Sequence, residues 1–341
     1  MGERIMKNKG TKISVGEFLQ SNTALLAVIA VLIFGTVMYG GTFLNYKRNI
    51  INVLHYASLL GIMGVGVNLC FIIGARDLSV GAVAAAASMI TALLSPYGLI
   101  PSVLGGLCVG LCFGLLNGIV IAKFKVQPFI ATLGTQLAAR GVALLINHEY
   151  SITIDASATV LKAVGNGTFL GIIPNPTLIF LLLIIAFTVM TRHTTFGRSI
   201  YAVGGNEESA EMMGVRVDRV KILTFVISGL MAAISGIVLC GHINAGQPTA
   251  CEGWEMTIMA AVVIGGTPVR GGTGRISGIL FGAIFVQFIS NLINLNGHVS
   301  AYWKDILTGV ILLIAVLLQV SADRRKERIK SARKTTEAVS Q

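Results

Sequence analysis

Six polar side chains, Asn68, Asn117, Gln136, Arg140, Gln287 and Asn291, stand inside stretches of sequence that are otherwise apolar. A polar group surrounded by lipid is costly unless it faces a bundle interior or a water-filled path. All but Arg140 are uncharged amides, which exchange hydrogen bonds with hydroxyls and offer no charge to an ion. Together with Phe129, the amides are candidates for lining a path for a neutral, hydroxyl-bearing solute. The same groups equally suit bonds that hold one helix to another.

A second group is Gly74-Ala75-Arg76-Asp77-Leu78-Ser79-Val80-Gly81. Asp77 and Ser79 are placed to cap a helix that begins near Ser79, with a carboxylate at its positive end and Arg76 as an adjacent partner. Glu255 follows Trp254 at the outer end of a span; a gate or relay is one reading, and an interfacial residue, with Trp254, Tyr302 and Trp303 in the aromatic belt, is the favoured one. The five histidines and five cysteines show no metal spacing or disulfide framework. Gly271-Gly272-Thr273-Gly274-Arg275 lacks the pattern of a phosphate loop and follows no strand. No catalytic residue, metal or cofactor is therefore expected of this chain. If ATP powers it, a partner hydrolyses the nucleotide.

The third group lies in the polar stretch Thr191–Lys221, which must lie in water although membrane-length apolar segments flank it. Asn206 is suited to cap a short helix, with Glu207 and Glu208 in its first turn. Ser209, Ala210, Met212 and Met213 follow, and Gly214 is placed to stop it. Two turns of helix are not stable alone, so this piece needs something to pack against.

These residues hang on a membrane framework. Of 341 residues 54% are hydrophobic and 12% charged, with a mean hydropathy of +0.79. Continuous apolar runs of near-spanning length predict an all-α integral membrane protein. Ten spans are expected, at 22–44, 50–73, 79–95, 101–122, 129–147, 175–191, 221–243, 254–266, 275–293 and 303–320. They form one permease domain, 22–320, between a basic arm at 1–21 and a charged tail at 321–341, with the polar segment 192–220 inside it. With the N-terminus inside the cell, 21 of the 26 Lys and Arg fall on the cytoplasmic side, so both termini are placed there. The net charge of +11 thus orients the chain among membrane lipids, and no nucleic-acid partner is implied. Ile72–Ala92 and Val263–Gln287 each leave a span, make a Gly-rich turn and re-enter as a small-residue helix, which suggests an inverted repeat.

DLSVG at 77–81, LNGIVIAKFKVQPFIATLGT at 116–135, GRSIYAVGGNEESAEMMGVRVDRVK at 197–221, INAGQP at 243–248 and AAVVIGGTPVRGGTG at 260–274 occur in one order. In these motifs the chain resembles the permease subunits of sugar-type ABC importers, the ribose permease group, which shares ancestry with branched-chain amino-acid permeases. The resemblance covers about 50 to 320. It implies a ten-helix, vitamin-B12-importer-like permease of the bacterial cytoplasmic membrane, working as a dimer with a second copy or a paralogue. Two ATP-hydrolysing domains inside and an extracytoplasmic solute-binding protein outside are the implied partners. The resemblance also places an ATPase-coupling helix on Asn206–Gly214. The chain departs from the family pattern at Arg76 and at Pro268, which removes a backbone donor.

Overall fold

The computed structural model describes residues 23–45 and 49–296, together with isolated positions between 303 and 321. Its helices are α1 (Thr23–Phe43), α2 (Ile51–Ile72), α3 (Val80–Leu93), α4 (Leu99–Lys123), α5 (Pro128–Leu145), α6 (Thr159–Asn166), α7 (Asn175–His193), α8 (Thr195–Gly205), α9 (Glu207–Met212), α10 (Val217–Ile243), α11 (Trp254–Ile264) and α12 (Gly278–Asn296). Four two-residue strands, β1 (Ile152–Thr153), β2 (Thr168–Phe169), β3 (Ile173–Pro174) and β4 (Ala245–Gly246), form two antiparallel pairs, β1 with β4 and β2 with β3. Pro128 and Pro176 sit in the first turns of α5 and α7, where a missing N–H costs nothing. Asn244 ends α10 in the left-handed region, which Asn tolerates.

Among the described residues seven helices, α1, α2, α4, α5, α7, α10 and α12, are long and apolar enough to cross a membrane. Two expected spans are not. With 14 and 11 residues, α3 and α11 reach only about 21 and 17 Å, against a hydrocarbon core of about 30 Å. The expected spans 79–95 and 254–266 are therefore corrected to short helices, completed by non-helical chain such as the stretch from Gln247 to Gly253. Pro248, Ala250 and Cys251 of that stretch are buried in the bundle, and Gln247, Thr249, Glu252 and Gly253 are exposed. The tenth expected span, 303–320, lies almost wholly outside the described residues.

α2 is the centre of the bundle. It is buried without a break from Ala57 to Ile73, between α7, α10, α11 and α12. A helix apolar on every side belongs inside, and its glycines let the neighbours close in. The most extensive helix pairing is between α4 and α10. Gly106, Gly110, Gly114 and Gly118 recur every four residues along α4, and three of them face the α10 backbone directly. A Cβ on Gly114 would lie 2.7 Å from the Phe225 carbonyl oxygen and 2.9 Å from the Val226 Cα. On Gly118 it would lie 2.8 Å from the Ile222 Cα. Dispersion between touching backbones replaces the hydrophobic drive that lipid cannot supply.

Gly114→Val should force α4 and α10 apart and cost roughly 1–3 kcal/mol or more, the usual cost of overpacking. Gly141→Ala on α5, where an added Cβ meets nothing within 4 Å, should be close to neutral. Melting temperatures of the two detergent-purified variants measure this; equal values would show that the crossing does not need its glycines.

Candidate functional site

The segment from α8 to the start of α10 is built locally. Thr194 caps α8, its side chain accepting from the Gly197 N–H at 3.1 Å. Asn206 caps α9, its Oδ1 accepting from the Ser209 N–H at 2.7 Å, and Glu207 and Glu208 occupy the first turn. Gly214, at φ 83°, ends it. Ala210 is fully buried and anchors α9 to the bundle, whereas Glu208 and Glu211 face outward and Met212 and Met213 are 82% and 72% exposed. Two adjacent exposed methionines with acidic neighbours form an apolar patch that no described residue covers.

Charge pairs hold α9 in place. Lys221 reaches Glu207 at 2.7 Å, Lys123 reaches Asp218 at 2.8 Å, and Lys125 lies 3.3 Å from Asp218 and 3.9 Å from Glu207. Four of these five side chains are a third exposed or more, so each pair contributes at most about 1 kcal/mol. Their value is positional, since they tie the α4–α5 turn to the start of α9 and to the first turn of α10.

Behind α9, three pieces of backbone meet. The Gly272 N–H donates to the Ile72 carbonyl at 2.8 Å, and the Tyr201 hydroxyl of α8 donates to the Gly274 carbonyl at 3.0 Å. Gly272 also packs so closely on Gly205 that a Cβ would lie 2.9 Å from the Gly205 Cα. Asn68 of α2 donates to the Arg275 carbonyl at 3.2 Å and accepts from the Thr267 hydroxyl at 2.9 Å. The Gly-rich turns at 73–79 and 265–277, alike in sequence, are thus neighbours in space and lie against the end of α8.

Asp77 is 1% exposed and is the node of a second network. Its Oδ1 accepts from the Ser79 N–H at 3.0 Å and the Ser79 hydroxyl at 2.6 Å, and its Oδ2 accepts from the Ser228 hydroxyl at 2.7 Å. Ser79 Oγ accepts from Asn117 Nδ2 at 2.9 Å, and Asn117 Oδ1 accepts from the Thr135 hydroxyl at 2.7 Å. One chain of bonds therefore joins α3, α4, α5 and α10. The expected cap is corrected here: Ser79 makes no side-chain capping bond to α3, because its hydroxyl is committed to Asp77 and Asn117. Arg76 is exposed, and Asp77 takes its bonds from serines.

The candidate path residues divide. Asn68 and Asn117 are spent in the networks above, and Asn291 pairs with Asn49 through reciprocal amide bonds of 2.7 and 3.0 Å. Gln287 is half-buried on α12, and Phe129 is exposed on α5. Gln136, the ninth of the 18 residues of α5, donates to Glu255 Oε1 at 2.9 Å. Glu255 is therefore beside the middle of a spanning helix and not at the interface, a correction that follows from the short α11. Arg140, one turn further, donates to the Pro248 and Ala250 carbonyls at 2.6 and 2.9 Å. Ser228, Thr135, Asn49 and Tyr201 carry much of this bonding and were not candidates by sequence; hydroxyls and amides recurring within or beside apolar runs are the signal that marks them.

Membrane-length helices around a buried polar interior, with a capped helix projecting at one end, define a multi-pass membrane protein. Residues 49–316 match the family described as branched-chain amino acid transport system / permease component. The ribose import permease protein of Haemophilus influenzae is 36% identical over 92% of this chain and 97% of its own. That of Bacillus subtilis is 38% identical over 82% and 85%. The L-arabinose transport system permease protein of Escherichia coli is 35% identical over 90% and 91%. No solved structure matches. The chain belongs to this family of transport permeases.

Asp77→Asn should destabilise the bundle, because an amide must donate where the carboxylate only accepts from Ser79 and Ser228. A loss of roughly 1–3 kcal/mol is expected for the unsatisfied group. A thermal melt of the purified variant that matched wild type would show that the node does not hold the four helices.

Proposed function

We propose that this chain is the membrane-spanning subunit of an ATP-driven importer that moves a neutral monosaccharide, a ribose-like pentose or a related sugar, across the cytoplasmic membrane by alternating access. Both termini and α9 are cytoplasmic in this reading, and two ATP-hydrolysing subunits dock on α9. An extracytoplasmic binding protein delivers the sugar to the opposite face, and a second permease copy or a paralogue completes the path. The observation that carries the reading is the projecting α9, capped by Asn206, anchored by Ala210 and presenting Met212 and Met213 to water. Nothing in a bilayer requires such a helix, and a soluble partner does. Identity above one third with ribose and arabinose permeases, over most of each chain, supports the sugar class.

In mechanism, closure of the inner subunits displaces α9, and the end of α8 passes the displacement to the turns at 73–79 and 265–277, which it touches. ATP shifts the equilibrium only through its different affinity for the inward-open and outward-open forms. Hexoses, furanose-type signal molecules and nucleosides share the chemistry that neutral amides recognise and are the alternative solutes. An ion-coupled carrier is a second reading, favoured by the depth of Asp77 and Glu255. Uptake that persisted without any ATPase partner but collapsed with the proton gradient would establish it.

Met212→Asp with Met213→Asp leaves the buried anchor of α9 untouched. It should lower uptake in cells expressing the whole importer by at least about tenfold, as expected for losing a contact anchor. The ATPase subunits should also no longer copurify. Uptake and copurification at wild-type levels would remove α9 from the coupling role. A panel of labelled D-ribose, L-arabinose, hexoses and amino acids tests the solute; transport of amino acids alone would overturn the sugar class.

A further inference from the structure

α5 is the least apolar of the membrane-length helices among the described residues, with Thr132 and Thr135 buried and Gln136 and Arg140 partly exposed. Phe129, Leu133, Gln136 and Arg140 are spaced by four, three and four residues, so they form one stripe. Phe129 and Leu133 in that stripe are exposed, and Gln136 and Arg140 are partly so. The adjoining side, with Ala131, Thr132, Thr135 and Ala139, is buried, and Ile130, Gly134, Leu137 and Ala138 on the far side are exposed, so the stripe runs along the border between the two. A half-exposed glutamine and arginine in the central turns of a spanning helix cannot face lipid cheaply.

The polar groups of the stripe are also unspent. The Gln136 amide N–H₂ is held by Glu255 Oε1 at 2.9 Å, which fixes the orientation of the amide. Among the described residues its carbonyl oxygen accepts no hydrogen bond. Arg140 uses Nη1 on the Pro248 and Ala250 carbonyls, and its remaining N–H groups have no partner among the described residues. One acceptor and several donors, one helical turn apart, are thus presented to the same side. Glu255 accompanies Arg140 there, so the patch has opposite charges in it and no net charge to retain an ion. A dry contact with another protein chain would leave these groups unsatisfied, at a cost that water or a sugar hydroxyl removes.

We propose that this face of α5 lines the solute path, and that Gln136 and Arg140 bind two hydroxyls of a neutral sugar at mid-membrane depth. Glu255 is a positioning residue that holds the Gln136 carbonyl toward the path. The proposal rests on the importer reading above and assigns the sugar's contacts within it. The opposing wall comes from the second permease copy.

Two measurements test it in membranes containing the whole importer. Gln136→Cys, in the otherwise native chain, should react with a charged methanethiosulfonate at least about tenfold faster than Leu182→Cys on the exposed side of α7, because a thiolate forms only where water reaches. Equal rates, or an inert Gln136→Cys that instead crosslinks to its own copy, would overturn the path assignment. Gln136→Leu should lower uptake of 0.1-saturating [¹⁴C]ribose about tenfold, the worth of one hydrogen bond in a water-poor site, with unchanged protein level. Glu255→Gln, which keeps an acceptor for the Gln136 amide, should retain most of the uptake. Wild-type uptake from Gln136→Leu would overturn the sugar contact. Ribose uptake absent from the wild-type importer would refute the solute reading alone, and the labelling rates would still decide the path.

Discussion

Within hydrocarbon a polar group has no water to return to, and the bundle is arranged around that constraint. Asp77, Asn68, Asn117, Asn291 and the serines and threonines beside them find their partners inside the chain, most of them on a different helix. Each such bond is worth only about 1 kcal/mol net, but leaving one group unmade costs more than making it gains. The networks therefore select one register for α3, α4, α5 and α10 among many of similar packing energy. The glycine ridge of α4 permits the same register, because Gly114 and Gly118 can approach the α10 backbone at one height only.

Helix length and polarity together decide which residues lie deep. α11 is too short to cross, so the chain between β4 and α11 descends as irregular backbone and carries Glu255 to the middle of α5. α3 begins comparably deep, since Asp77 just before it bonds Ser228, the twelfth residue of the 27 in α10. Non-helical backbone at that depth demands cover, and the carbonyls of Pro248 and Ala250 receive it from Arg140. The same arrangement that satisfies the loop brings a charged side chain to the side of α5 that is not covered.

Local features were legible in the sequence and depth was not. Asn206 caps α9 and Gly214 ends it because capping is decided within four residues. The long helices begin and end within a few residues of the apolar runs, since hydrocarbon thickness sets both. Ser79 was misread because its competitor for hydrogen bonding, Asp77, is itself held by Ser228, 151 residues further along the chain. Glu255 was misread because hydropathy marks where an apolar run starts and carries no information about how far the preceding loop has descended. The five amides and Arg140 stand out in the sequence as polar groups within apolar runs, but which of them face another helix depends on helix rotation. Gln136 and Arg140 on α5 and Gln287 on α12 combine a central position with a partly open face, and only the first two stand on one helix.

The three-way contact behind α9 links these observations. Gly272 and Gly205 touch at backbone distance, Gly272 bonds Ile72, and Asn68 bonds both flanks of the 265–277 turn. Side chains can absorb a displacement by changing rotamer; two backbones in contact cannot. A movement of α8 is therefore passed to the end of α2 and to the turn that joins α11 to α12. α2 is buried along most of its length, and α11 is buried from Thr257 to Val263 and packs on α12 at backbone distance. The turn continues into α11, which carries Glu255 and, through it, holds the amide of Gln136. α11 thus joins the Gly-rich turn beside α8 at one end to the middle of α5 at the other.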